Sequence, residues 1–399
     1  MAKTVSNSLV FTGNPVWLNM TGSGQRRFLL YGPDYGSVDG YEPLYEGIVT
    51  APAVVDIAEL LASNVPLTPD PGEGGEDVLI ALQEFTTVVF GENMTARRSP
   101  NSVTVKYMDS DDTLLFVQSF QAFVGGVSKQ NWRKLLDWNT DIFAQRFLRK
   151  GCNMFMTTRS ADWKFSIKET EMYPLCFFYP SSGTLKVREQ LCNNELEVEG
   201  TAGMLCALDL AAVRRHFFTT YGIITNVLDV YTDDTFDCRI AIEEAVPAPE
   251  RYRLKFRNSY GVFEVVQLVG TATITPTQES ERDYTEYDED VDDFVSARGR
   301  EPMSVVLDVE SGPKRRDEMR LLLDAVNSDE VYLLDAAHDA IKVIPTVEDG
   351  SWRVLPDGLQ SLTLHLQVCD DEGAVMQELV NENDGSRHIF TDEYTDQYT

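Results

Sequence analysis

The chain has 399 residues, 64 acidic against 34 basic, a net charge of −30, and 43% of it is hydrophobic. That is enough for two to four domains with real cores. The negative balance argues against nucleic acid or an anionic membrane as the main partner, because both would repel it, and it keeps closely spaced copies soluble.

Strands are expected first. SLVFTGNPVWLNM and RRFLLYG are β-favouring runs parted by a Gly22-Ser23-Gly24 turn. DIAELLASNV (56–65) reads as a helix with Asp56 as N-cap and Glu59 at the capping-box position. PLTPDPGEGGED (66–77) is a Pro/Gly-rich loop. Val103, Val105 and Tyr107 alternate before the MDSDD turn and LLFVQSF returns, which predicts a hairpin.

The stretch 125–151 predicts the best helix of the chain. Ser128 caps it, Trp132, Leu135, Leu136, Phe143 and Phe147 share a face, and Gly151 ends it. Strands follow to about 247. GMLCALDLAAVRRHFFTTYG reads as a helix, or as a strand followed by a helical turn. Pro247 and Pro249 mark a linker.

RYRLKFRNSYGVFEVVQLVG (251–270) predicts a hairpin. Tyr252, Leu254 and Phe256 form a dry face, and Arg251, Arg253, Lys255 and Arg257 a solvated basic one. That basic face is a candidate docking surface, with the acidic run 279–293 as a candidate partner. Asn258 and Gly261 are expected to supply positive φ at the reversal. A helix at 313–328 lies among further strands, and 375–399 is a polar acidic tail.

The fold class is therefore mainly β with a few helices, in several sandwich or barrel-like domains. The predicted domains are 1–125, 126–247 and 248–374, followed by the tail 375–399.

Cys152, Cys176, Cys192, Cys206, Cys238 and Cys369 include no C-x-x-C pair, so free thiols and a reducing compartment at synthesis are expected. MAKTVSNSLVF lacks a signal-peptide core, and no uncharged apolar run is long enough to span a membrane. Phosphate-loop, dinucleotide and nucleophile-elbow motifs are missing. Asp288, Asp290 and Asp292 have calcium-loop spacing, but Asp293 and Gly299 occupy the positions that need Gly and Glu. His216, His338, His365 and His388 show no zinc spacing. Neither a catalytic set nor a metal or cofactor site is expected. Trp17, Trp163 and Trp352 are candidate sugar-stacking residues, with core packing as the alternative.

The Phe-x-Gly-Asn-Pro strand at 11–15, with Gly125, Gly126, Thr158, Arg159, Glu171, Pro174, Asn258, Gly261 and Glu264, resembles tail-module proteins of phages and prophages of gut bacteria. The likeness is scattered over most of 1–340. It implies a non-catalytic virion structural protein of the baseplate or distal tail, made in the host cytoplasm. Its partners would be copies of itself in a ring and other tail proteins. A receptor-binding or carbohydrate-binding tail module, a head–tail adaptor and an injection-machine component are the alternatives.

Overall fold

The computed structural model describes residues 9–32, 42–72, 77–84, 100–137, 142–159, 164–168, 170–180, 183–245, 250–277, 282–299, 304–334, 340–347 and 359–369. The fold is mainly β, 50% strand and 15% helix, in several sheets. The chain divides into two compact units, Met1–Val246 with Arg257–Glu264, and Pro247–Phe256 with Val265–Thr399. The tail 375–399 lies outside the described residues.

In the first unit, β1 (Leu9–Phe11), β2 (Trp17–Tyr31), β3 (Tyr45–Asp56), β5 (Ser102–Asp109) and β6 (Leu114–Phe123) form one sheet in the order β1-β6-β5-β2-β3. Alternation sets its buried face: Leu18, Met20, Phe28, Leu30, Val103, Val105 and Tyr107 enter one core with Leu61 of α1 (Ala58–Asn64). The predicted capping box is absent from α1. Ile57 holds the N-cap position without a side-chain bond, and the Asp56 carboxylate accepts from Ala58 N and Val16 N, each at 3.0 Å. Asp56 thus joins the helix start to the approach of β2.

β4 (Leu79–Glu84) leaves that sheet. It flanks β11 (Met204–Asp209), whose other neighbour is β8 (Pro174–Phe178). The pairing brings residues from both the predicted 1–125 and 126–247 regions into one sheet. A further sheet has the order β10-β9-β12-β13-β7, from β7 (Lys164–Ile167), β9 (Leu185–Glu189), β10 (Glu195–Val198), β12 (Val227–Thr232) and β13 (Thr235–Glu244).

The 204–221 stretch is a strand and then a three-turn helix. Asp209 ends β11 and caps α3 (Leu210–Tyr221), accepting from Ala211 N at 3.1 Å, Ala212 N at 3.3 Å and Tyr173 N at 2.8 Å. Of the helix predicted over 125–151, the described residues show α2 (Lys129–Asp137) and a π-helical turn, Phe143–Phe147; residues 138–141 between them lie outside the described residues. Ser128 does start α2, its hydroxyl accepting from Asn131 N at 3.3 Å. The π turn sets Phe143 and Phe147 against Phe11, Phe123 and Phe178, with ring centroids 4.6 to 6.4 Å apart.

In the second unit a seven-stranded sheet runs β15-β14-β20-β21-β22-β19-β16. Its strands are β14 (Tyr252–Arg257), β15 (Phe263–Leu268), β16 (Ala272–Thr277), β19 (Ser304–Glu310), β20 (Val331–Leu334), β21 (Ala340–Thr346) and β22 (Thr363–Val368). The helix α4 (Arg316–Val326) buries Met319, Leu322 and Ala325 at helical spacing. β17 (Arg282–Asp288) and β18 (Asp293–Gly299) pair with each other as a two-stranded ribbon.

Two readings of the 251–270 hairpin are corrected here. Arg253 and Lys255 are 5% and 2% exposed, so the basic face is neither solvated nor available for docking. β14 lies between β15 and β20, and its four central residues, on both faces of the strand, are all buried. The Lys255 ammonium lies over the Tyr332 ring, 5.6 Å from its centroid. The acidic run, the candidate partner of that face, supplies much of the β17–β18 ribbon and its tip.

Candidate functional site

Most of the residues that carry the resemblance converge on the 258–261 turn. Asn258 N donates to Val262 O and Gly261 N to Asn258 O, both at 2.8 Å. Gly261 has φ +80°, as expected of a reversal. Asn258 contributes differently from the expectation, through its side chain. Its Nδ2 donates to Met156 O at 2.8 Å and Glu264 Oε2 at 2.7 Å, while its Oδ1 accepts from Tyr260 N at 2.9 Å and Val262 N at 3.3 Å.

Glu264 is 2% exposed, and its carboxylate is surrounded by donors. It accepts from the Thr157 hydroxyl, Thr158 N at 3.2 Å, Thr158 Oγ1 at 3.3 Å and Asn258. Arg159 Nε lies 3.3 Å away in a buried ion pair, and its guanidinium stacks over Phe165, 4.7 Å from the centroid. Arg146 closes another side, donating to Tyr260 Oη at 3.0 Å and Thr157 O at 3.2 Å.

Close backbone approach locks the turn from below. Gly126 N donates to Ser259 O, and Gly13 N to Gly125 O, both at 2.7 Å. Asn14 clamps the chain after the glycine pair, donating from Nδ2 to Val127 O at 2.8 Å and accepting from Val127 N at 2.9 Å. Asn14, Gly125, Gly126, Thr158, Arg159, Asn258, Gly261 and Glu264 thus build one junction. Glu171 and Pro174 stand elsewhere, near the start of α3: Glu171 accepts from Tyr173 Oη at 3.2 Å, and Pro174 pairs with Asp209.

Chemically this junction holds chain to chain. Glu264 spends its oxygens on hydroxyl and amide donors and on the ion pair with Arg159, an arrangement that ties the turn to the 157–159 segment. Among the described residues, no group of three His, Cys, Asp or Glu could hold a metal. Asp288, Asp290, Asp292 and Asp293 lie at the β17–β18 tip, where Asp292 takes φ +53° and accepts from Tyr287 Oη at 2.5 Å. His216 meets Phe217 edge-on and His365 bonds Asp308, while His338 and His388 lie outside the described residues. Trp17 meets Trp132 edge-on at 6.4 Å; Trp163 and Trp352 also lie outside. Among the described residues, no helix is long and apolar enough to cross a membrane.

All six cysteines are free thiols. Burial pushes Cys206 up to about 11 and Cys238 up to about 12, and burial with the nearby Glu264 carboxylate raises Cys176 further. A raised pKa keeps a thiol protonated and unreactive at pH 8. Cys192 and Cys369 are exposed. In native-state labelling at pH 8, read by peptide mass mapping, Cys192 and Cys369 should react within minutes, and Cys176, Cys206 and Cys238 only on unfolding. Labelling of Cys176 at the rate of Cys192 would contradict this packing.

Two exposed patches are apolar. Leu114, Leu115, Phe116 and Val117 of β6 are 49%, 47%, 47% and 38% exposed, although consecutive. On the ribbon, Tyr287, Val291, Phe294 and Val295 are exposed too, with the Tyr287 and Phe294 rings 5.4 Å apart. A lone two-stranded ribbon is marginal in water, and exposed apolar patches mark interaction sites. Comparison with family models, curated proteins and solved structures finds no match to this chain.

Proposed function

We propose that the chain is a non-catalytic structural subunit of a phage tail or baseplate, assembling into a ring through subunit–subunit contacts. The observation that carries this reading is the division of labour between polar and apolar groups. A buried polar network around Glu264 ties the turn to its neighbours, while β6 and the β17–β18 ribbon present apolar side chains to solvent. An enzyme would be expected to invert this, with polar groups converging in an open cleft. The resemblance of the junction residues to tail-module proteins supports the same reading. Contacts between unlike patches close into rings, and the net charge of −30 keeps a crowded ring soluble.

The test is the native mass of the purified chain over a range of concentrations, with mass spectrometry of purified virion tails from a host carrying the gene. A discrete ring and recovery of the chain in tails are expected. A chain that stays monomeric at high concentration and is missing from tails would overturn the proposal.

A further inference from the structure

We propose that the β17–β18 ribbon is a docking arm for a protein of another kind, and that its tip, Tyr287–Ser296, seats on a basic surface with an apolar slot. This goes beyond the assembly reading and does not depend on whether copies close into a ring.

Register sorts the side chains of the ribbon. Tyr287 and Phe294 are opposite each other, so both rings lie on one face, edge-on at 5.4 Å. Asp288 and Asp293 are opposite each other one step nearer the turn, and so lie on the other face. The turn adds Glu289, Asp290 and Asp292. Residues 287 to 296 thus hold five carboxylates and no basic group. Val291, at the turn, is 63% exposed, and Phe294, at 67%, is the most exposed aromatic among the described residues.

In the free chain this arrangement is unfavourable on two counts. Directly opposed like charges weaken a strand pair, and Asp288 faces Asp293 with three more carboxylates between them. The bonds made there are with neutral groups: Asp288 accepts from Asp290 N at 2.9 Å, Asp293 from Phe294 N at 2.8 Å, and Asp292 from Tyr287 Oη. Large apolar side chains held in water among those charges are the second count.

Together the two counts select the occupant. Five carboxylates around Tyr287, Val291 and Phe294 complement a cationic face, and they repel nucleic acid, anionic lipid and the −30 of a second copy. The tail 375–399 is repelled in the same way, its Glu378, Glu382, Asp384, Asp392, Glu393 and Asp396 standing against Arg387 alone. A neutral sugar would leave the carboxylates unanswered. A free cation would leave Val291 and Phe294 in water, and among the described residues no three acidic groups converge to hold a metal. A basic protein surface with an apolar slot answers both counts. The charges steer the encounter and rim the contact, and the exposed rings and Val291 fill the slot.

The test uses the full chain and two fluorescent probes, a short amphipathic peptide of leucine and lysine and an oligolysine of equal charge, with binding read by anisotropy. The wild type should bind the amphipathic peptide at least ~10-fold more tightly than the oligolysine. Val291→Ser with Phe294→Ser should remove that preference. Asp288→Asn with Asp290→Asn and Asp293→Asn should weaken both probes ~10-fold, a difference that added salt erases. Glu59→Gln with Asp137→Asn and Glu199→Gln takes the same three charges from exposed positions elsewhere, and should change neither affinity. Ribbon variants that bind both probes as the wild type does, or a charge control that loses as much, would overturn the proposal. So would a lower native mass for V291S/F294S without any probe, because a second copy would then be the occupant.

Discussion

Replacing Glu264 with alanine is expected to destabilise the first unit by about 3–5 kcal/mol, the cost of breaking a buried ion pair from one side. Arg159 would lose the carboxylate 3.3 Å from its Nε, and Asn258 Nδ2 a bond of 2.7 Å. Thr157 and Thr158 would lose their acceptor as well. Donors left unmatched in a buried site cost their full desolvation. Glu264→Gln keeps an acceptor oxygen but gives up the charge, and should cost roughly 2 kcal/mol. Removing both charges with Arg159→Met and Glu264→Leu should recover part of the alanine loss, because an apolar pair leaves no orphaned ion. The readout is the urea midpoint at which buried Cys176 and Cys206 become labelled, which reports this unit and not the other. A loss below 1 kcal/mol for the alanine variant would show that the network is not what holds the turn.

Local pattern revealed the strands and left their neighbours undetermined. The alternation of Val103, Val105 and Tyr107 before an Asp-rich turn was enough for the β5–β6 hairpin, because that pairing is between adjacent segments. The alternation in β14 was equally clean but led to a wrong conclusion. Period two reports that a strand has two faces, not that one of them is wet, and in β14 both faces are buried, Arg253 and Lys255 included. Asp209 decided the 204–221 ambiguity by serving both as the last strand residue and as the helix cap. Trp132 to Phe147 fitted helical spacing, and a π turn occupies Phe143–Phe147 at the end of that stretch. The junction was legible only as scattered motif residues. Thr157 and Glu264 are 107 positions apart, and nothing local to either encodes their meeting.

Gly261→Ala should abolish folding of the first unit, whereas Gly72→Ala should be tolerated at about 1–2 kcal/mol. Both glycines sit at positive φ, +80° and +94°, so the intrinsic backbone cost of a Cβ is alike. Their surroundings differ. A Cβ on Gly72 meets nothing within 4 Å, while on Gly261 it would lie 1.6 Å from Val124 O and 2.8 Å from Val124 C. Neither contact is with a flexible side-chain end, so relief requires moving the backbone of residues 124–125. Gly125 packs as closely along the same seam: a Cβ there would stand 2.5 Å from Tyr260 C, and its own φ is +149°. The two segments pack backbone to backbone, with Gly126 N bonded to Ser259 O as the tie. Separating them would give up that bond and the Asn14 clamp on Val127. A penalty above about 4 kcal/mol is expected for Gly261→Ala, seen as loss of soluble protein or as native-buffer labelling of Cys176 and Cys206. Combining it with Gly125→Ala should add little, since one displacement relieves both clashes. Equal urea midpoints for the Gly261 and Gly72 variants would mean that the 124–126 segment can retreat freely, and the sealed junction would lose its role as the anchor of the turn.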